Sequence, residues 1–217
     1  MSLKHKRILI TAGPTWVPVD TVRIISNIAT GQTGILLAKR LHRLGAKVSL
    51  ILGPVETANL GKKIKVIRFK FFNELKKILF DELKNKDYDI LIHSAAVSDY
   101  RPKIKYLSKI ESGLKSLNLR LMPTEKIIDK IKKIKPSLYL VGFKFEPQKN
   151  TSFLLKRAVE LLKRAKADLV VANTLDKNGD YRAYVINQDR VYGPISGKLN
   201  LVERLIKIIR NVPINKR

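Results

Sequence analysis

The chain of 217 residues contains no cysteine. That excludes disulfides, thiolate metal sites and a cysteine nucleophile. No apolar run approaches the ~18 residues needed to cross a bilayer. Residues 1–6 are basic, but a strand pattern follows them, not a long apolar segment with a small-residue cleavage site. No signal peptide is read there. These absences lead to the expectation of a cytoplasmic protein with no membrane association. Aromatic residues make up only 7% of the chain, too few to interleave as a base-stacking platform. The common nucleotide signatures are missing as well. Where a G-x-G-x-x-G would follow the first strand, the chain reads Ala12-Gly13-Pro14-Thr15. There is no P-loop and no Tyr-x-x-x-Lys pair, so a redox Rossmann enzyme is disfavoured.

Acidic residues are scarce: 18 Asp and Glu stand against 44 Lys and Arg, a net charge of +26. That sign is compatible with nucleic acid. The lysines are scattered, however, not gathered in an arm or tail, which is the pattern of solvated helix faces. A third reading lies between these two: a positive field that draws in anionic small substrates.

What is present is a 45% hydrophobic chain, enough for one α/β domain with a proper core. Residues 7–12 read as a buried strand. A helix with Leu37, Leu41 and Leu44 inside stops at Gly45, and a strand follows at 47–52. This is the βαβ unit of a parallel sheet. Asn73 is placed to cap a second helix with Leu75, Ile78, Leu79 and Leu83 inside. The strand at 88–93 ends in Ser94-Ala95-Ala96, small residues at the edge where open α/β sheets bind ligands. Residues 101–116, polar and lysine-rich, read as a mobile flap. Leu117, Leu119 and Leu121 alternate as a strand. Thr124 is placed to cap a helix with Ile127, Ile128, Ile131 and Ile134. A strand at 139–145 precedes a helix capped by Thr151. The last strongly apolar strand is 168–173. Residues 181–195 read as a hairpin about Asn187-Gln188-Asp189. Asn200 and Glu203 form the start of a last helix, and 213–217 read as a frayed tail. The expectation is one domain, 1–217. Its fold would be a Rossmann-like, mostly parallel sheet with helices on both faces, plus a C-terminal hairpin and helix.

Residues 22–34, V-R-I-I-S-N-I-A-T-G-Q-T-G, form the most informative stretch. A loop leading into a helix N-terminus aims backbone N–H groups at one point, which suits a phosphate. Arg23, Ser26, Asn27 and Thr30 have no evident packing reason to be there. With the preceding T-A-G-P-T, this stretch resembles the first motif of phosphopantothenate–cysteine ligases. S-A-A-V-S-D-Y-R-P at 94–102, V-G-F-K-F-E at 141–146 and A-D-L-V-V-A-N at 167–173 resemble further motifs of that family, in the same order. The similarity covers nearly the whole chain and is to the free-standing form of the enzyme.

The resemblance implies a two-step ligation in coenzyme A biosynthesis, with CTP or ATP as co-substrate and Mg²⁺ as cofactor. The substrates would be 4′-phosphopantothenate and cysteine, the assembly a homodimer, and a separate decarboxylase a candidate partner. Asn27 and Lys109 match the catalytic positions. Arg23, Ala29, Thr30, Gly31 and Ala96 match the substrate site, with Arg23 pairing the substrate or bracing the loop. Gly13, Ser94, Ala95, Asp99, Glu125, Ile127 and Phe143 match the nucleotide site, where Asp99 also meets the metal. Lys163 and Lys166 are the nearest equivalents of two family lysines at the nucleotide. The chain departs from the family pattern at Pro14 (usually Gly), at Gln32 (commonly Lys) and after Lys109, where Ile110-Glu111-Ser112 replaces a Lys-rich run. Two rival readings are a catalytically altered relative that binds nucleotide or phosphopantothenate, and a basic nucleic-acid-binding protein.

Overall fold

The computed structural model describes residues 3–56, 60–61, 63–147 and 149–212. Its frame is an eight-stranded sheet. In chain order its strands are β1 (Arg7–Ala12), β4 (Lys47–Leu52), β5 (Lys65–Arg68), β6 (Ile90–His93), β9 (Tyr139–Phe145), β10 (Leu169–Leu175), β11 (Tyr181–Ile186) and β12 (Val191–Ser196). Across the sheet the order is β12-β11-β10-β9-β6-β1-β4-β5. Every pairing from β10 through β5 is parallel, and β11 and β12 add on antiparallel. The expected α/β class and the C-terminal hairpin both hold.

Burial on two faces explains the strand sequences. Ile8, Ile10 and Ala12 join one core cluster while Leu9 joins the other, so the strand has no solvent-exposed face. Helices α1 (Gln32–Arg43) and α5 (Lys198–Arg210) cover the first face. Helices α2 (Phe72–Asn85), α3 (Ile128–Ile134) and α4 (Thr151–Arg164) cover the second. Two short hairpins lie apart from the sheet: β2 (Trp16–Pro18) with β3 (Ile24–Ser26), and β7 (Tyr100–Pro102) with β8 (Leu121–Pro123).

Several local expectations are corrected. Asn73 lies inside α2; the helix is entered at Phe71, and Glu74 accepts the N–H groups of Lys70 (2.8 Å) and Phe71 (3.2 Å). Asn150, not Thr151, caps α4 by accepting from the Phe153 N–H at 2.8 Å. Thr124 donates its hydroxyl to Ser98 O at 2.6 Å, and α3 begins later, at Ile128. Asn200 sits within α5 and donates to Ser196 O at 2.8 Å, so Gly197 is the cap position. Of the leucines read as one strand, only Leu121 lies in one, because β8 is made by pairing with β7. Residues 103–120 carry neither helix nor strand. The tail at 213–217 lies outside the described residues.

Candidate active site

The carboxyl edge of the sheet opens into a cavity of about 780 Å³. Its floor is stitched from β1 and β6 outward. Thr11 Oγ1 pairs with His93 Nδ1 at 2.8 Å and accepts the Ala95 N–H at 3.3 Å. Ser94 Oγ donates to Thr11 O at 2.7 Å. The Ala96 N–H donates to Gly13 O at 2.9 Å. Burial holds the His93 imidazole down at about 4, so it is neutral near pH 7 and serves as a fixed polar prop.

Above this floor stands the start of α1. Gly31 is its cap residue in the left-handed region (φ 67°) and brings no side chain to the first turn, which holds no acid; only the Gln32 N–H meets a side chain, Thr30 Oγ1 at 3.4 Å. Gly34 lets the helix approach the sheet. A Cβ there would lie 2.5 Å from Ala12 Cβ and 2.8 Å from Ser94 Oγ. Asn27 reaches over the same point, donating from Nδ2 to Ala96 O at 3.2 Å. An anion set here would meet backbone donors, a helix dipole and a side-chain amide together.

Most of the residues picked out by motif line this cavity. Gly13, Asn27, Ala29, Thr30, Gly31, Ser94, Ala95, Ala96, Asp99, Glu125, Ile127 and Phe143 all do so. Four do not: Arg23, Lys109, Lys163 and Lys166. Arg23 forms an ion pair with buried Asp20 and donates to Ile110 O at 3.2 Å, so it braces the loop. Lys109 lies next to this brace, in the segment 103–120. On α4 it is Leu161 and Arg164, three residues apart on one helix face, that meet the cavity; Lys163 falls off that face and Lys166 lies beyond the helix end.

Other cavity residues carried no sequence signal strong enough to be chosen. Lys126 pairs with Asp99, Lys144 with Glu146 (2.9 Å) and Arg164 with Asp129 (3.0 Å). Glu125 pairs with Lys130 and Lys76, whose hydrogen bonds lower its pKa. Asn173, at the end of β10, has a buried Oδ1 with no hydrogen-bond partner among the described residues. Two clues pointed to it in the sequence: it closes the motif at 167–173, and it stands near a strand's carboxyl end. Lys198 enters from the start of α5 and donates to Gln32 Oε1 at 2.7 Å. Among the described residues no three His, Asp or Glu side chains gather to hold a metal ion. No helix among them is long and apolar enough to cross a membrane.

An open parallel sheet with a polar cleft at its carboxyl edge defines a Rossmann-like α/β protein. The chain belongs to the family of the DNA/pantothenate metabolism flavoprotein C-terminal domain, which matches residues 3–211. It is 38% identical over 207 residues to the coenzyme A biosynthesis bifunctional protein CoaBC of Thermococcus kodakarensis, covering 94% of this chain and 51% of that protein. The DNA/pantothenate metabolism flavoprotein from Streptococcus pneumoniae superposes with a TM-score of 0.84 at 27% identity, over 94% of this chain and 98% of that one. The C-terminal domain of a coenzyme A biosynthesis bifunctional protein CoaBC gives 0.77 at 26% identity, with 97% of each chain covered. The chain spans about half the length of the curated relatives it matches. The family read from the motifs is borne out.

Proposed function

We propose that this chain is a nucleoside-triphosphate-dependent phosphopantothenate–cysteine ligase of coenzyme A biosynthesis. One observation carries the reading: Asn27, the Gly31 helix entry and the 94–99 loop, far apart in sequence, share one anion-suited cavity. The relatives' role in coenzyme A biosynthesis supports it.

In the first step a carboxylate oxygen of 4′-phosphopantothenate attacks the α-phosphorus of CTP or ATP. The α–β P–O bond breaks and pyrophosphate leaves. In the second step the amine of cysteine attacks the acyl carbon, the C–O bond to the nucleotide breaks, and the amine proton passes to solvent. Asn27 donates to the reacting carboxyl and acyl-nucleotide without competing as a nucleophile. Ala29, Thr30 and Gly31 offer backbone N–H groups to phosphate, and Ser94, Ala95 and Ala96 let the substrate lie close to the backbone. Phe143 and Asn173 face the nucleotide, with Asn173 Oδ1 free to accept a hydrogen bond. Mg²⁺ supplies charge neutralisation on the polyphosphate when bound. Asp99, exposed and paired with Lys126, would offer a single carboxylate, which fits an ion carried mainly by phosphate oxygens. The chain acts as a single unit whose flap, 101–116, brings Lys109 to the reaction.

The homodimer is supported by where apolar surface is exposed: Ile24 on β3 with Val22 and Ile28 flanking that strand, and Ile104 and Leu107 on the flap. The reaction belongs in the cytoplasm. Its product passes to a decarboxylase, on a separate chain or the same one.

The test is pyrophosphate release that requires both 4′-phosphopantothenate and CTP or ATP. Asn27→Asp is expected to slow turnover by roughly 100-fold or more, as loss of one oxyanion donor does. Unchanged turnover in that variant removes Asn27 from the mechanism. No pyrophosphate from the wild type with either nucleotide overturns the ligase reading.

A further inference from the structure

Three helices begin at the cavity: α1, α5 and the short α3, whose first turn carries Asp129. β12 runs parallel to β10, so it ends at the carboxyl edge of the sheet, and α5 starts there. It lies beside α1 on the same face. Two bonds taken in the same order along both helices show that they run parallel: Lys198 to Gln32 at 2.7 Å and Arg40 to Glu203 at 2.7 Å. Both helices have glycine at the cap position, Gly31 and Gly197, and neither carries an acid in its first turn; the one side chain at these ends, Thr30, brings a neutral hydroxyl to the Gln32 N–H at 3.4 Å. Their positive ends therefore sit side by side without a neutralising group.

The lysine that joins them has an unusual partner. The other cations lining the cavity are held by carboxylates: Lys126 by Asp99, Lys144 by Glu146, Arg164 by Asp129. Lys198 is held instead by the neutral amide oxygen of Gln32, with its Nζ 5.8 Å from the Tyr181 ring centre. Among the described residues no carboxylate forms an ion pair with it. An amide oxygen positions an ammonium without cancelling its charge, and two of the three donors remain for another acceptor. The arrangement is a full positive charge at the mouth of two helix dipoles, half-buried and already oriented.

We propose that Lys198 and the paired starts of α1 and α5 bind the terminal phosphates of the nucleoside triphosphate, those that leave as pyrophosphate. This rests on the ligase reading above for the identity of the nucleotide. The α-phosphate must stay within reach of the carboxyl group at Asn27, on the β6 and β1 side of the edge. Lys198 enters from the β10–β12 side, so it meets the phosphates beyond the α. Charge on the leaving pyrophosphate is thereby stabilised by the C-terminal helix as well as by the Gly31 loop.

Calorimetry with inorganic pyrophosphate and Mg²⁺ on the full chain tests this. Lys198→Gln is expected to weaken pyrophosphate binding roughly 10- to 100-fold, the worth of a charged hydrogen bond. Binding of CMP or AMP should change less than about twofold on the same scale. The exchange Gln32→Lys with Lys198→Gln returns the charge to the other side of the same bond, and should restore pyrophosphate affinity. Equal pyrophosphate binding by wild type and Lys198→Gln overturns the proposal. So does a wild type that binds none, a parallel loss of CMP and AMP binding, or an exchange variant that rescues nothing. A wild type that releases no pyrophosphate in the ligation assay, yet binds it through Lys198, would sink the ligase reading and leave the cradle standing.

Discussion

Asp20 has no exposed side-chain surface and accepts from every direction. Its Oδ1 takes the N–H groups of Val22 (2.8 Å) and Arg23 (2.6 Å); its Oδ2 takes the Ile110 N–H (3.1 Å) and the Arg23 guanidinium. Burial alone would raise its pKa. The N–H groups of Val22, Ile110 and Arg23, with the Arg23 side chain, outweigh that and hold the carboxyl far below the ordinary range. A depressed carboxyl favours the folded state above its unfolded pKa of about 3.9, and the benefit is lost as pH falls below that. Asp20→Asn should therefore lower the melting temperature at pH 7, and the gap to wild type should close as pH drops from 6 toward 3. Amide exchange at Ile110 should quicken in the variant at pH 7. A gap that stays constant with pH would mean that the charge of Asp20 is not what holds the flap. Of this cluster only Arg23 was legible in sequence, as a residue that pairs substrate or braces the loop. Ile110 lies 90 positions from Asp20, and no local pattern links them.

The elements with strong punctuation were the legible ones. β1, α1 and β4 have an apolar period, a glycine stop and a turn between them, and each formed where the pattern puts it, except that Leu44, expected inside, is the exposed C-cap of α1. The short strands β2, β3, β5, β7 and β8 have too few positions to show a period and exist through their partners, whereas β6, also four residues, was legible because all of them are buried in an apolar run. Caps failed for a related reason: Thr124 had a tertiary acceptor, Ser98 O, which local spacing cannot reveal. Lys6 is the sharpest case. In sequence it belongs to a basic N-terminus. In the structure it is 1% exposed, and its ammonium caps the end of α5 through Ile209 O (3.2 Å), Arg210 O (3.2 Å) and Val212 O. Burial lowers its pKa against the raising effect of Asp89. Lys6→Met keeps the bulk but leaves those helix-end carbonyls without their donor, a cost of about 1–3 kcal/mol. Urea unfolding should read that loss, and exchange at the last turn of α5 should rise more than exchange in β1. A variant as stable as wild type would show that water satisfies those carbonyls equally well. Because α5 also carries Lys198, the same variant reports how firmly the helix must be anchored for its first turn to stay in place.

Across the whole molecule the scarcity of acid acquires a function. The net charge is +26, and carboxylates near the cavity are already engaged: Asp99 with Lys126, Glu125 with Lys76 and Lys130, Asp129 with Arg164. The surplus positive charge therefore surrounds a cleft whose proposed substrates are a phosphorylated carboxylate and a polyphosphate. Such a field raises encounter rates with anions and weakens as salt shortens its range, from ~10 Å at 0.1 M to ~3 Å at 1 M. We expect kcat/KM for the nucleotide to fall by roughly tenfold between 0.1 and 1 M KCl, while kcat changes little. The same charge could instead serve nucleic acid, and the two uses differ in one assay. Duplex DNA added at 0.1 M KCl should leave the ligation rate unchanged if the field serves small anions. If DNA binds with an affinity that falls steeply in log–log fashion with salt, counterion release from a polyanion is its purpose. A salt-insensitive kcat/KM would deny the field any part in capture, and Lys198 with the helix starts would then account for nucleotide binding at short range alone.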